Sequence, residues 1–134
     1  MSNEMTVTFP GGRRVNASCG DFEIATDQSV KNGGDASAPE PFELFLASLA
    51  TCAGAYVAGF CGRRDLATSE LRLTQSWDRD DKGRLANVTL HIEVPESFPE
   101  KYHEALVRAV NQCAVKKVLE DPPNFVVETI VSGS

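Results

Sequence analysis

The residues of this 134-residue chain that could do chemistry are its cysteines, Cys19, Cys52, Cys61 and Cys113. None belongs to a Cys-x-x-Cys pair, and both histidines lie far from them in the sequence, so we expect no metal site. A thiolate can attack a peroxide oxygen and become a sulfenic acid, which a second thiol then captures as a disulfide. This chemistry requires two thiols that one hydrophobic core brings together.

Cys52 lies in the middle of an uncharged segment, residues 44–62. A helix made of this segment would be apolar on every face and would have to be buried. It is almost long enough to span a bilayer, but it is rich in small residues, and the remaining chain offers strands that could cover it in water. We therefore predict a core helix, not a membrane anchor, that begins near Pro41 and ends at Gly62.

Cys113 lies in a second predicted helix, residues 99–119. The apolar residues of this segment share one helix face, which we expect to face the core together with Cys113. They are Tyr102, Leu106, Ala109, Val110 and Cys113. Two inward cysteines on two helices of one core can come within disulfide reach, but two unrelated core thiols fit the same pattern. We interpret Cys19 and Cys61 as small buried hydrophobic residues.

Alternating and β-rich segments surround the two predicted helices. We predict strands at residues 5–9, 13–19, 22–27, 71–77, 88–94 and 125–131. The order βββ, α, ββ, α, β is typical of a single α+β domain, here residues 1–134.

Arg13 occupies an unusual position in the second predicted strand. Strand alternation places it on the same face as Val15, Ala17 and Cys19. Its guanidinium group either snorkels at the strand end or meets a carboxylate or a functional group.

The composition excludes several partners. The net charge of −6 and the pI near 4.9 argue against nucleic acid or an anionic membrane as a partner. No basic segment precedes an apolar one at the start, so we expect a cytoplasmic protein with reduced thiols.

Two motifs resemble one known family. The segment PFELFLASLATC at residues 41–52 resembles the helix of the osmotically inducible protein C and organic hydroperoxide resistance protein superfamily (OsmC/Ohr), in which a proline, a glutamate and an Ala/Leu-rich run lead into a reactive cysteine. The segment RAVNQCAVKKVL at residues 108–119, followed by Pro122 and Pro123, is the second match. The element order agrees too, so the resemblance covers essentially the whole chain.

The resemblance implies an intertwined homodimer in which two long central helices are wrapped by antiparallel sheets. It also implies thiol-dependent reduction of hydroperoxides, with Cys52 peroxidatic, Cys113 resolving, and a dithiol reductant, for example of the lipoyl type, in place of a metal, flavin or other cofactor. An arginine of the N-terminal strands and a glutamate before the helix polarise the thiol in the peroxidase branches. Arg13 is the first candidate here and Arg14 the second, with Glu43 as the glutamate.

The chain departs from the peroxidase pattern at three positions. In the peroxide-specialised branch, the residue ten before the reactive cysteine belongs to a motif that resembles Pro-Glu-x-Leu, whereas here it is Phe42. In a regular helix, Glu43 would point to the side opposite Cys52. The residue after the second cysteine, often proline in relatives, is Ala114. The alternative hypothesis is a non-catalytic dimer that acts as a thiol redox sensor or binds a small molecule.

Overall fold

The computed structural model describes residues 3–133 and divides the chain into two compact units, one ending at Ser48 and the other beginning at Leu49. The first unit contains a three-stranded sheet, and the second contains a two-stranded sheet with helices. The predicted α+β class is therefore confirmed.

The sheet of the first unit is antiparallel and follows the chain order. Its strands are β1 (Thr6–Gly11), β2 (Arg14–Cys19) and β3 (Phe22–Thr26). Gly12 has φ of 60° in the turn between β1 and β2, a conformation that favours glycine. Arg13 belongs to this turn and is exposed, so its predicted place on the inward face of a strand is wrong. Strand alternation had assigned Arg13 to the second strand, but the tight turn after β1 includes Arg13, so that strand begins one residue later.

A loop at residues 27–39 leads from β3 to the long helix and is held together by one buried carboxylate. The carboxylate of Asp27 accepts hydrogen bonds from the backbone N–H of Gln28 at 2.7 Å and of Ser37 at 3.0 Å, and from the Ser37 hydroxyl at 2.6 Å. These donors lower the pKa of Asp27 to about 2. A Cβ on Gly34 would lie 2.2 Å from the Gln28 carbonyl oxygen, so the loop can close only with glycine there.

The long apolar helix α1 spans Pro41–Gly62, the predicted bounds. Its start is capped by Glu43, whose Oε1 accepts a hydrogen bond from the Glu40 N–H at 3.0 Å. Its end is covered by Arg64, whose Nη1 donates to the Phe60 carbonyl at 3.0 Å. Charged and capping residues thus mark both ends of a segment that carries no charge inside.

Only one stripe of α1 is buried within this chain. The buried residues are Leu46, Leu49, Ala53, Val57, Phe60 and Cys61, whereas Tyr56 remains 37% exposed. The expectation that every face is covered is therefore not met by a single copy.

The helix α1 is long and apolar enough to cross a membrane, a criterion that the core helices of soluble proteins also meet.

The sheet of the second unit is a hairpin of β4 (Arg72–Arg79) and β5 (Leu85–Glu93). The register pairs Leu73 with Ile92 and Trp77 with Val88. The strands predicted at residues 71–77 and 88–94 are confirmed with shifted ends, because period-two alternation is a local signal.

The second predicted helix is interrupted. The structure has a 3₁₀ turn at Glu100–Tyr102, helix α2 at His103–Val110 and helix α3 at Ala114–Glu120. Leu106 and Val110 of α2 pack with Ala53, Phe60 and other α1 residues in the core of this unit. The single helix predicted over residues 99–119 is wrong in its continuity, since the chain leaves helical geometry just before Cys113.

The last predicted strand, residues 125–131, does not form. Residues 122–133 are described and contain no helix or strand. The apolar side chains here are exposed, with Val127 at 97% and Ile130 at 85%. A strand requires a neighbour that supplies backbone hydrogen bonds, and in the described single chain this segment has none.

Candidate active site

The second unit brings the two predicted reactive cysteines together. Cys52 lies in the middle of α1 and is half-buried, whereas Cys113 precedes α3 and is 3% exposed. Both are free thiols, and each side chain shifts the pKa of the other. Of the two interpretations left open by the sequence, unrelated core thiols or a pair, the geometry favours the pair.

The environment of Cys52 stabilises its thiolate. The pKa of Cys52 is lowered, first by the hydrogen bond with the Cys113 side chain and then by the backbone N–H of Val115, with a smaller contribution from Ala114. Burial acts in the opposite direction and is outweighed. Cys52 is therefore the better nucleophile of the two.

Cys113 is held in the thiol form. Burial raises the pKa of Cys113, and its hydrogen bond to Cys52 raises it further. A neutral S–H facing a thiolate is the donor of their shared hydrogen bond. Of the two thiols, Cys52 therefore loses its proton more readily and Cys113 keeps its proton more firmly.

The break between α2 and α3 creates this arrangement. Cys113 is the N-cap of α3, with φ of −49° and ψ of 124°, and its own N–H donates to the Val110 carbonyl at 3.0 Å. The N–H groups of Ala114 and Val115 at the start of a helix have no partner inside that helix. They are available to Cys52 for this reason, as its lowered pKa reflects.

Sequence reasoning missed Ala114 and Val115 because backbone groups leave no signature in side-chain type. The side chains before Cys113 do not mark the break either, because Asn111 and Gln112 lie off the apolar stripe and glutamine is a good helix former.

A cavity of about 310 Å³ lies beside the pair and is lined by Cys113. Most of its walls are aliphatic side chains of the second unit, such as Leu49, Leu90, Ile92, Val107 and Val110. The polar lining side chains are Gln75, Asn111 and Lys116, besides the Cys113 thiol. Among residues 3–133, Cys52 is not part of this lining.

Arg13 and Glu43 belong to the first unit. Arg13 and Arg14 line a surface cleft with Gln28 and Asn32, and Arg13 makes no ion pair within residues 3–133. The Glu43 carboxylate is engaged by the N–H of Glu40 at the start of α1. Their roles beside Cys52 therefore stay predictions.

The other cysteines show no comparable environment. Burial raises the pKa of Cys61, which is fully buried, so its thiol is unreactive. Cys19 is half-buried at the end of β2. Within residues 3–133, no group of three or more His, Cys, Asp and Glu side chains could hold a metal ion.

Solved structures similar to this chain share its fold. A Psychrobacter arcticus protein, provisionally described as an osmotic stress induced and detoxification response protein, is 23% identical, with 87% of each chain covered and a TM-score of 0.73. The OsmC like protein of Mycoplasma pneumoniae is 17% identical, with 91% of this chain and 89% of that chain covered and a TM-score of 0.70.

A third similar structure is the organic hydroperoxide resistance protein OhrB of Bacillus subtilis. It is 21% identical, covers 89% of this chain and 92% of its own, and has a TM-score of 0.56. None of the curated proteins compared with this chain matches it.

The family described as OsmC-like protein matches residues 33–128, a range that contains both members of the thiol pair. Since the match covers well over half of the sequence, the chain belongs to the OsmC-like protein family.

Proposed function

We propose that this protein reduces organic hydroperoxides with a pair of cysteines, Cys52 as the peroxidatic and Cys113 as the resolving residue. The observation that carries the proposal is the interaction of the two thiols, which lowers the pKa of Cys52 and raises that of Cys113. The name of the Bacillus subtilis relative, an organic hydroperoxide resistance protein, supports the substrate class.

The first step is attack of the Cys52 thiolate on the outer oxygen of the hydroperoxide. The O–O bond breaks, the alkoxide leaves and takes a proton to become an alcohol, and Cys52 becomes a sulfenic acid. Ala53 and Gly54, next to Cys52, are small and leave room for this approach.

The second step is capture of the sulfenic acid by Cys113. The Cys113 sulfur attacks the Cys52 sulfur, an S–S bond forms, and the hydroxyl leaves as water with the Cys113 proton. The mutual effect of the two side chains on their pKa values supports the proximity that this step needs. A thiol reductant must then return the disulfide to two thiols.

The test is peroxide turnover in wild type and in single cysteine variants. Wild type with excess dithiol should consume many equivalents of tert-butyl hydroperoxide per chain, and consume hydrogen peroxide more slowly. Cys113→Ser should trap a sulfenic or over-oxidised Cys52, whereas Cys52→Ser should give no sulfenic acid at Cys113.

Cys19→Ser is the matched control and should turn over like wild type. Consumption of about one equivalent of peroxide per chain would instead indicate a sensor. A disulfide from Cys52 to Cys19 or Cys61 would contradict the mechanism.

A further inference from the structure

The first unit contains a cleft that gathers two arginines. It has a volume of about 440 Å³ and lies between the turn that joins β1 to β2 and the loop at residues 27–39. We call it the arginine cleft, and the side chains that line it are Phe9, Arg13, Arg14, Val15, Gln28 and Asn32. The proposed steps of the thiol reaction use none of them.

The two guanidinium groups of the arginine cleft have no counter-ion. Arg13 and Arg14 are exposed, and neither forms an ion pair within the part of the chain that the structure describes, residues 3–133. The Arg14 Nε donates to the Gly11 carbonyl at 3.2 Å, and its Nη groups remain as donors. No Asp or Glu side chain among those residues lines the cleft. Two neighbouring like charges repel each other, and a bound anion relieves the repulsion.

The walls of the arginine cleft are already in place. The Arg13 guanidinium lies against Gly33 of the loop, since a Cβ built on Gly33 would stand 3.6 Å from the Arg13 Nε. Asn32 is oriented by its Nδ2, which donates to the Glu40 Oε2 at 2.9 Å, so the Glu40 carboxylate is engaged there. The same loop is held by the buried carboxylate of Asp27. A cleft with such fixed walls loses little conformational entropy when it binds a ligand.

We propose that the arginine cleft binds the phosphate group of a small organic phosphate ester. A guanidinium group donates two parallel hydrogen bonds to phosphate oxygens, and the Gln28 amide adds a further donor. The ring of Phe9, which is 79% exposed, offers the organic part of the ligand an apolar surface. The inference does not rest on the proposed function, because neither member of the cysteine pair lines this cleft.

The size of the cleft and the charge of the chain favour a small ligand over a macromolecule. A volume of about 440 Å³ lies within the range of small-molecule sites. The net charge of −6 repels nucleic acids and anionic membranes, which also carry phosphate groups. A phosphate on a small molecule is therefore the source that fits.

The first experiment measures binding of phenyl phosphate to the reduced protein by isothermal titration calorimetry. We expect saturable binding at one site per chain. Inorganic phosphate, which lacks a ring, and benzoate, which has only one negative charge, should bind more weakly. Absence of phenyl phosphate binding at millimolar concentration, or equally tight binding of benzoate, would overturn the proposal.

Single arginine variants locate the site. Arg13→Gln and Arg14→Gln should each weaken phenyl phosphate binding about tenfold, as expected for lost hydrogen bonds between charged groups, with an unchanged circular dichroism spectrum. Arg63→Gln is the matched control, because it removes the same charge from an exposed arginine outside the cleft. Equal weakening in all three variants would indicate general attraction between charges, and the cleft would then not be a binding site.

The wild-type protein gives a measurement that needs no substitution. Amide chemical shifts that change on addition of phenyl phosphate should belong to residues 9–15 and 28–33, which form the walls of the cleft. Changes confined to other residues would place the ligand elsewhere and contradict the proposal.

The aromatic part of the assignment is tested at Phe9. Phe9→Ala should remove the preference for phenyl phosphate over inorganic phosphate and leave the binding of inorganic phosphate unchanged. Val7→Ala, two residues earlier in β1 and outside the cleft lining, should keep the preference. A preference that survives in Phe9→Ala would show that the ring of the ligand does not contact Phe9, and this assignment would be wrong.

Phosphatidic acid carries the same phosphate group on a membrane surface. Vesicles of phosphatidylcholine and phosphatidic acid should leave the protein in the supernatant after centrifugation. Sedimentation with the vesicles that Arg13→Gln prevents would assign the cleft to a lipid surface and contradict the proposal. All of these measurements use reduced protein without peroxide, so a failure of the proposed peroxidase reaction leaves their outcome unaffected.

Discussion

At the scale of residues, the donors that lower the pKa of Cys52 are one thiol and two backbone amides. A thiolate at Cys52 is thus stabilised by groups of residues 113–115, which are far from α1 in the sequence. The Cys113 side chain makes the largest of these contributions, so the residue that we propose as resolving also lowers the pKa of Cys52.

Removing the Cys113 donor should weaken Cys52 as a nucleophile. Cys113→Ala should slow iodoacetamide alkylation of Cys52, measured below the pKa of the wild-type thiol, by about threefold or more, as expected for one lost hydrogen bond. Cys113→Ser keeps a donor and should stay closer to wild type. The same alkylation rate in wild type and in the alanine variant would show that the thiol contact does not activate Cys52.

The role of Arg13 beside Cys52 is a prediction, and the neighbouring Arg14 is its control. If Arg13 acts on Cys52, Arg13→Ala should slow alkylation of Cys52 at neutral pH more than Arg14→Ala does, because a nearby cation favours the thiolate. Both residues line the same cleft and both are exposed, so the comparison is matched. Indistinguishable rates would leave Arg13 as a surface residue.

At the scale of elements, the start of α3 matters more than its length. Ala114 is its first residue, and Cys113 before it already has ψ of 124°, the conformation that a following proline requires. The site can therefore be probed without breaking the helix.

Ala114→Pro should remove one N–H from Cys52 and leave the fold intact. The expected result is a two- to threefold slower alkylation of Cys52, about the effect of one weak hydrogen bond, with an unchanged circular dichroism spectrum. Ala114→Gly, which keeps the N–H, should alkylate like wild type. A proline variant with wild-type alkylation would show that Ala114 contributes nothing.

The loop at residues 27–39 should make the first unit sensitive to acid. The pKa of Asp27 is about 2 in the folded protein against an ordinary value of 3.8, so its stabilisation is complete above about pH 4 and is lost as the pH falls toward 2. Asp27→Asn should abolish this part of the pH dependence and lower stability at neutral pH.

Acid unfolding followed by circular dichroism measures this effect. Asp35→Asn, in the same loop, is the control, because Asp35 donates to Asp27 through its backbone N–H and not its side chain. The interpretation fails if the Asp27 and Asp35 variants unfold at the same pH.

At the scale of the whole molecule, much apolar surface remains exposed in one copy. Trp77 is 49% exposed, Phe125 is 82% exposed, and only one stripe of α1 is buried. Exposed large apolar side chains that gather into one patch are typical of a surface that binds another protein.

We therefore keep the prediction of a homodimer. Sedimentation equilibrium at micromolar concentration should give twice the mass of the chain, because the uncovered faces of α1 need a second copy. A stable folded monomer across that range would contradict it.

The extents of α1 and of the β4–β5 hairpin could be predicted from the sequence because their signals are local. An uncharged run at residues 44–62 and period-two alternation each depend on neighbouring residues alone. Helical periodicity also predicted the burial of Cys113, which is 3% exposed although it lies between α2 and α3 and not within one helix.

Only the tertiary structure decided how these thiols are placed. The distance between residues far apart in the chain depends on every intervening dihedral angle and on packing, which no local pattern encodes. The same holds for the break before Cys113, which directs the N–H groups of Ala114 and Val115 to Cys52, and for the turn that removes Arg13 from β2. It holds also for residues 125–131, whose strand-like sequence stays unpaired in the described chain because a strand forms only where another backbone supplies its hydrogen bonds.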